Sequence, residues 1–227
     1  MHRVPLVDRE YESLPVFPLP NFAMFPHLVT RLHVFEPRYR MMVAESLSTH
    51  RLLVLVGLKD GWEDDYYGSP PVHEIGSLCK IINDERLPDG RYNLQLHCLA
   101  RVHIHTIHQL KPFRTAQVET LDDEFGHDGP RAEAVARLVS CVRGLILHLG
   151  EHGAVLANVL NKTRKHDILT NRLAHVLATD PLTRQSLLEV TDVTDRAERL
   201  TDLAGDLLLR ATDNSELSER IDPAIVN

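Results

Sequence analysis

The hydrophobic residues of this chain repeat with two different periods, and the change falls at one short polar stretch. In Leu14–Leu121, β-branched runs alternate with proline and glycine, whereas in Pro130–Ala211 the apolar residues return at helical spacing. The stretch Asp122–Gly129 between them is polar and contains glycine, which is typical of a boundary between structural units. The sequence therefore predicts an α+β chain in three parts: a β lobe over 10–122, a helical lobe over 130–211 and a polar, flexible tail over 212–227.

The segment Tyr92–Ile107 gives the clearest strand signal, because its apolar and polar residues alternate. The face predicted to pack in a core carries Leu94, Leu96, Cys98, Ala100, Val102 and Ile104. The face predicted to lie mostly in water carries Gln95, His97, Arg101, His103 and His105. The turn Leu87-Pro88-Asp89-Gly90 predicts a hairpin between this strand and Ile75–Ile82.

Four further stretches of the first half are predicted to be extended: Leu14–Leu19, Val29–Phe35, Leu52–Val56 and Phe113–Leu121. The run Leu52–Val56 is apolar at every position, which indicates a strand buried on both faces. A short helix is expected to begin at Pro37, since proline suits the first helical turn. At least five strands and one helix at short intervals favour a small closed or half-closed barrel.

The second half predicts four or five helices with one-sided apolar stripes, hence a bundle. The first is expected to begin at Pro130 and to end at Gly150. A later helix is expected to begin at Asp180-Pro181, with aspartate as the N-cap and proline at the first position. The last helix is predicted over about Val193–Ala211.

Net charge, cysteine spacing and the length of apolar runs indicate which kinds of partner and which cellular compartment to expect. The formal net charge is −7, which disfavours nucleic acid because an acidic chain repels phosphate backbones. The three cysteines, Cys79, Cys98 and Cys141, form no C-x-x-C pair, so neither a disulfide scaffold nor a cysteine zinc site is expected. No apolar run has the length of a signal peptide or a membrane span. We therefore expect a soluble, cytoplasmic protein without a membrane partner.

Three stretches together resemble one known family. The first is Leu14–Val43, with a proline-broken strand, the turn Phe25-Pro26 and the sequence FEPRY leading into a helix. The second combines Glu74–Leu78 with the Pro88–Tyr92 hairpin, and the third is Arg184–Glu189 followed by Asp192-Val193. Taken in this order and spacing, they resemble the N-terminal, substrate-binding domain of Lon proteases, over nearly the whole chain.

The resemblance implies a PUA-like β pseudo-barrel followed by a C-terminal helical bundle. It also implies a non-catalytic module that recognises unfolded or tagged polypeptides, or an adaptor that works with a protease or chaperone partner. PUA-like folds also include RNA binders, so an RNA-binding module is the alternative. The basic stretch Lys162–His166 could serve that alternative, although positive charge near a helix C-terminus explains it as well.

The loop Lys59–Pro71 is the preferred candidate for peptide binding. It holds Trp62, Tyr66 and Tyr67 among glycines and acidic residues. Amphipathic aromatic side chains on a loop give a large contact area at a small cost in rotamer entropy. The alternative is that these rings fold back and cover the open end of the barrel.

The segment Phe35-Glu36-Pro37-Arg38-Tyr39 is predicted to have a structural role. Each residue type suits the start of a helix: the two rings would pack, Pro37 would begin the helix, and the charged pair would cap it or pair locally.

No pattern indicates catalysis or a bound metal. The chain contains no G-x-x-x-x-G-K-[ST] loop for a nucleotide and neither a G-x-S-x-G nor an H-E-x-x-H motif. His97, His103 and His105 could in principle bind zinc, but no acidic or cysteine ligand follows at a supporting spacing. We expect no catalytic residue, no metal and no cofactor.

Overall fold

A computed structural model of the chain describes residues 9–65, 68–109 and 111–213. The first part contains the elements β1 Glu10–Leu19, β2 Val29–Val34, α1 Pro37–Ser48, β3 Leu52–Gly57, β4 Ile75–Arg86, β5 Tyr92–His108 and β6 Arg114–Leu121. The second part contains α2 Asp128–Leu149, α3 Ala154–Lys162, α4 His166–Leu177, α5 Pro181–Leu188 and α6 Val193–Asp213. The predicted α+β class with a C-terminal helical region is confirmed. The chain forms two compact units, Met1–Asp122 and Asp123–Asn227, and most of the predicted tail lies outside the described residues.

The six strands form one mixed sheet that closes on itself. Their order is β2-β5-β4-β3-β1-β6, and β6 also pairs with β5, so five strands complete a ring. Closure depends on the length of β5, which pairs with β2 over Tyr92–His97, with β4 over Tyr92–His103 and with β6 over Arg101–His108. Only β1 and β3 run parallel among the named strand pairs. The description of this barrel as PUA-like stays a prediction.

The barrel unit has two apolar cores, one on each face of β3. Alternate residues of β3 belong to different cores: Leu53 and Leu55 to one, Val54 and Val56 to the other. The first core also contains residues of α1, such as Met42, whereas the second contains none. This arrangement explains why the β3 sequence is apolar at every position, as predicted.

A β-bulge in β5 corrects the predicted faces of this strand. Cys79 of β4 pairs with Cys98, while Leu78 pairs with Ala100, so Leu99 is an extra residue. One extra residue inverts which side of the sheet the following side chains face. The even-numbered residues of the predicted core face are buried except Ala100, which is half-buried, and they divide between the cores, with Leu96 in one and Val102 in the other. Arg101, predicted to lie on the solvated face, is fully buried for the same reason.

The predicted hairpin between β4 and β5 is confirmed. The amide of Gly90 donates to the carbonyl of Leu87 at 2.8 Å, and the amide of Leu87 donates to the carbonyl of Arg91 at 2.8 Å. Gly90 has a φ of 82°, a conformation that glycine adopts without steric cost. The turn chemistry visible in the sequence thus fixes the register of the two longest strands.

The helical unit is built around α6, which packs against α2 and α4. The start of α2 lies at Asp128 rather than at Pro130, while its end at Gly150 agrees with the prediction, with a φ of 55° at that glycine. Asp180 caps α5 as predicted, since its carboxylate accepts from the amide of Thr183 at 2.8 Å. Within the described residues, no helix combines the length and the apolar character required to cross a membrane.

Candidate functional site

The start of α1 holds four of the five FEPRY residues in local contacts. Arg38 Nε donates to Glu36 Oε2 at 3.0 Å, and both side chains are about four-fifths buried. The Arg38 guanidinium lies 4.6 Å from the centre of the Tyr39 ring, and that ring contacts Phe17 at a centroid distance of 4.5 Å. Pro37 occupies the first turn, and Glu36 sits at the N-cap without a side-chain cap bond. These contacts are what a structural role for this segment requires.

Phe35 differs from the expectation that both rings of this segment pack. Its side chain is 60% exposed, and its ring lies against His33 at a centroid distance of 6.3 Å. A ring just before the N-cap is normally covered by an apolar residue four positions into the helix. Here that position is occupied by Arg40, so the ring of Phe35 stays at the surface of the barrel unit.

The loop that carries Trp62 is anchored at its base. Leu58 and Val72 form an antiparallel bridge, and the amide of Lys59 donates to the carbonyl of Pro71 at 2.9 Å. Trp62 begins a single turn of 3-10 helix over Trp62–Asp65 and is half-buried. Tyr66 and Tyr67 lie outside the described residues. Their predicted part in peptide binding therefore stays a prediction.

The three histidines His97, His103 and His105 of β5 are divided by the bulge. His103 and His105 lie together, with 3.2 Å between their Nδ1 atoms, and His105 Nε2 lies 3.5 Å from a carboxylate oxygen of Glu119. His97 is in a different environment, where burial and then the neighbouring His27 lower its pKa. In the part of the chain that the structure describes, no three histidine, cysteine or acidic residues are placed to hold a metal ion.

Two of the three cysteines meet in the barrel core, which the sequence did not reveal. Cys79 and Cys98 are direct partners on neighbouring strands, and both side chains are fully buried. Burial, and then a hydrogen bond with Cys98, raises the pKa of the Cys79 thiol well above its ordinary value. Burial also raises the pKa of Cys141 in α2. A raised pKa lowers the fraction of thiolate, so these thiols are poor nucleophiles.

The helical unit contains a groove of about 400 Å³ between α2, α3 and α4, which we call the helical groove. Its apolar lining includes Val135, Val139 and Ile146 of α2, Leu160 of α3 and Leu169 of α4. A groove of this size falls within the range that binds small ligands or a few side chains of a peptide.

Basic residues from three parts of the helical unit line the helical groove. Arg143 comes from α2, Arg164 from the turn between α3 and α4, and His166 from the first position of α4. The basic stretch Lys162–His166 therefore has two roles: Lys162 ends α3, as the helix-end interpretation requires, while Arg164 and His166 line the groove. Arg143 was not among the predicted site residues. Its signal was an arginine that interrupts the apolar stripe of α2 between Val139 and Ile146.

Comparisons with known proteins point to a single family. Residues 13–205 match the model of the ATP-dependent protease La (LON) substrate-binding domain. The chain is 30% identical over 217 residues to Lon protease 1 of Thermus thermophilus, covering 92% of this chain and 26% of that protein. It is 25% identical over 197 residues to the Lon protease of Trichlorobacter lovleyi, covering 85% of this chain and 24% of that protein. The chain thus spans about a quarter of the length of these relatives.

Solved structures agree on the fold. The N-terminal domain of the Mycobacterium avium complex Lon protease superposes with a TM-score of 0.66 at 18% identity, covering 86% of this chain and 99% of that one. The Lon N-terminal domain protein from Xanthomonas campestris gives a TM-score of 0.57 at 22% identity, covering 84% of this chain and 97% of that one. At these identities the likeness concerns the fold.

Proposed function

Because this chain belongs to the ATP-dependent protease La (LON) substrate-binding domain family, we propose that it binds unfolded or tagged polypeptides and performs no chemistry of its own. The observation that carries the proposal is the extent of the match, which covers residues 13–205 and so includes both units. The matched part of the relatives is their substrate-binding region and not the remaining three quarters of their length.

We further propose that the loop around Trp62 contacts the bound polypeptide, together with Tyr66 and Tyr67. Two features of the described residues support this assignment. The base of the loop is fixed by the Leu58–Val72 bridge, and the indole of Trp62 keeps part of its surface in solvent. A fixed, amphipathic ring loses little entropy on binding and excludes water from an apolar client.

In this proposal the chain acts as a recognition module or adaptor beside a protease or chaperone in the cytoplasm. The barrel over 10–122 and the bundle over 130–211 are its two modules.

The test uses the full chain and a permanently unfolded client, reduced and carboxymethylated α-lactalbumin, with native α-lactalbumin as the folded control. We expect the unfolded client to bind and the native one not to bind. Trp62→Ala and Tyr66→Ala should each weaken binding by about tenfold, the order expected for an aromatic hot spot. Leu147→Ala is the matched control, because Leu147 is 82% exposed and lies in α2, away from this loop in sequence.

The outcomes separate the function from the site. Failure of the wild-type chain to bind the unfolded client would refute the proposed function. Client binding that Trp62→Ala leaves unchanged, in a variant with wild-type circular dichroism, would refute only the assignment of the loop. A salt titration distinguishes the RNA-binding alternative, since phosphate contacts weaken steeply with salt while apolar capture does not.

A further inference from the structure

The apolar stripe of α2 is wider than the packing of the bundle needs. Leu138, Val142 and Leu145 are buried in the helical unit, whereas Val139 and Ile146 at the edge of the stripe are only half-buried and line the helical groove. Aliphatic surface left facing water costs free energy roughly in proportion to its area. The helical groove thus exposes apolar surface beside polar groups, and a bound aliphatic side chain would cover the apolar part.

The two arginines that line the helical groove make it positively charged. Arg143 and Arg164 are among its lining residues, and in the described part of the chain no aspartate or glutamate is. A further guanidinium lies next to the wall, because Arg172 Nη1 donates to Thr163 Oγ1 at 2.7 Å and Thr163 lines the groove. In a chain with a net charge of −7, this local excess of positive charge favours an anionic ligand.

Arg143 differs in its ion pairing from Arg131 and Arg137 on the same helix. Arg131 pairs with Asp128, and Arg137 pairs with Glu198 at 3.2 Å. Arg143 forms no ion pair with any residue that the structure describes, and its side chain is exposed at the rim. Its guanidinium is therefore available to a carboxylate from another molecule, with which it can form a bidentate pair.

We propose that the helical groove binds internal peptide segments in which aliphatic side chains lie next to acidic side chains. The proposal rests on the proposed function and specifies the class of client segment. The apolar floor of the groove, which includes Val139 and Ile146, contacts the aliphatic side chains, and Arg143 and Arg164 donate hydrogen bonds to the carboxylates. Two cations on separate elements suit several acidic side chains better than the single carboxylate of a chain end. At about 400 Å³ the groove accommodates a few side chains and not a folded domain.

The first experiment measures peptide preference by fluorescence anisotropy with the full chain. Four labelled peptides share one length and one pattern: leucine with glutamate, leucine with glutamine, leucine with lysine, and serine with glutamate. We expect the leucine–glutamate peptide to bind about tenfold more tightly than the leucine–glutamine peptide, the order expected for one charge-assisted contact. The serine–glutamate peptide should bind weakly, because it leaves the apolar floor uncovered.

The second experiment reverses the charge of the rim. Arg143→Glu and Arg164→Glu should each weaken binding of the leucine–glutamate peptide by about tenfold or more. Each should also make the leucine–lysine peptide the tighter ligand. Arg137→Glu is the matched control, with the same charge change on the same helix but outside the lining; the ion pair with Glu198 that it removes is exposed and contributes little to stability. A merely structural role of Arg143 predicts weaker binding of all peptides and not a reversal of preference.

Several results would overturn the proposal. Equal affinities of the leucine–glutamate and leucine–glutamine peptides would do so, as would equal effects of Arg137→Glu and Arg143→Glu. Binding of an RNA oligonucleotide that is lost in Arg143→Glu, together with equal affinities for all four peptides, would also contradict it. The unfolded client separates this failure from that of the proposed function. If the client binds and the rim variants have no effect, only the assignment of the helical groove fails; if no polypeptide binds at all, both fail.

Discussion

Removing the carboxylate of Asp123 should destabilise the helical unit strongly. Arg196 of α6 is fully buried, and its Nη1 atom donates to Asp123 Oδ1 at 2.9 Å and to the carbonyl of Val190 at 2.6 Å. Its Nε atom donates to Thr170 Oγ1 at 3.1 Å. Its Nη2 atom is buried without a hydrogen-bond partner among the described residues, so the site holds no spare acceptor.

The magnitude follows from what each substitution leaves behind. Arginine keeps its charge in proteins, so Asp123→Ala leaves a buried cation without its counter-charge, which costs about 3–5 kcal/mol. Arg196→Met removes the cation itself and leaves a carboxylate whose side chain is 11% exposed, so water already reaches it, unlike the fully buried guanidinium. We expect a smaller loss of about 1–2 kcal/mol for that variant. The double variant should be more stable than Asp123→Ala alone by about 1–2 kcal/mol.

Urea unfolding of the full chain measures these values with two probes. Circular dichroism in the far ultraviolet follows mainly the helical unit, whereas fluorescence follows the barrel unit, because Trp62 is the only tryptophan. The matched control is Arg199→Met on the same helix, where an exposed guanidinium pairs with Asp195 at 3.0 and 2.9 Å. Its loss should be about 0.5 kcal/mol. If Asp123→Ala cost no more than the control, or if the double variant lost the sum of the two single losses, the reasoning would be refuted.

Three further predictions concern pH and backbone packing. Burial lowers the pKa of His175 from 6.5 to about 4, so the unfolded chain takes up the proton first and stability is lost as pH falls through this window. Between these pH values, the free energy of unfolding measured in urea titrations should fall by about 3 kcal/mol more in the wild type than in His175→Gln. Gly76→Ala places a Cβ atom 2.8 Å from the carbonyl of Leu55, and tryptophan fluorescence should report a loss of about 1–3 kcal/mol in the barrel unit. Gly205→Ala meets nothing within 4 Å inside α6, and it should raise the free energy of unfolding of the helical unit by about 0.5–1 kcal/mol.

The elements of this fold were predictable because their signals are local. The apolar run of β3, the turn before β5 and the aspartate–proline start of α5 each depend on neighbouring residues along the chain. Closure of the barrel, in contrast, could not be predicted from local sequence signals. It depends on the pairing of β5 with β6 and on the parallel pairing of β1 with β3. Alternation within one strand indicates which residues are buried, but it does not indicate which strand lies beside it.

The β5 bulge shows why the sequence predicts which residues of this strand are buried but not the core to which each one belongs. Leu96 and Val102 are both buried, as alternation predicts, yet they lie in different cores because Leu99 inverts the faces between them. Nothing in the composition of this segment marks the extra residue, since leucine is also common in regular strands. The burial of Arg101 follows from the same inversion and could not be predicted from alternation alone.

The helical groove could not be predicted from the sequence for a related reason. A groove between three helices depends on how they pack, and a helical stripe predicts only that one face is apolar. The signal that was present is the arginine within the stripe of α2. An arginine in such a position has three outcomes: its charge reaches water, it meets a carboxylate of its own chain, or it meets one from a partner.

Arg196 and Arg143 illustrate two of these outcomes on two helices of one unit. Both interrupt an apolar stripe, Arg196 three residues after Val193 and Arg143 four residues after Val139. Arg196 is buried because Asp123 supplies the counter-charge, since burial of an unpaired guanidinium would cost more than the surrounding apolar contacts return. Arg143 has no such carboxylate among the described residues and stays at the solvent-facing edge of the helical groove. A carboxylate brought by a peptide would complete at Arg143 the pairing that the chain itself completes at Arg196, and this supply of counter-charge is the physical basis for acidic selectivity in the groove.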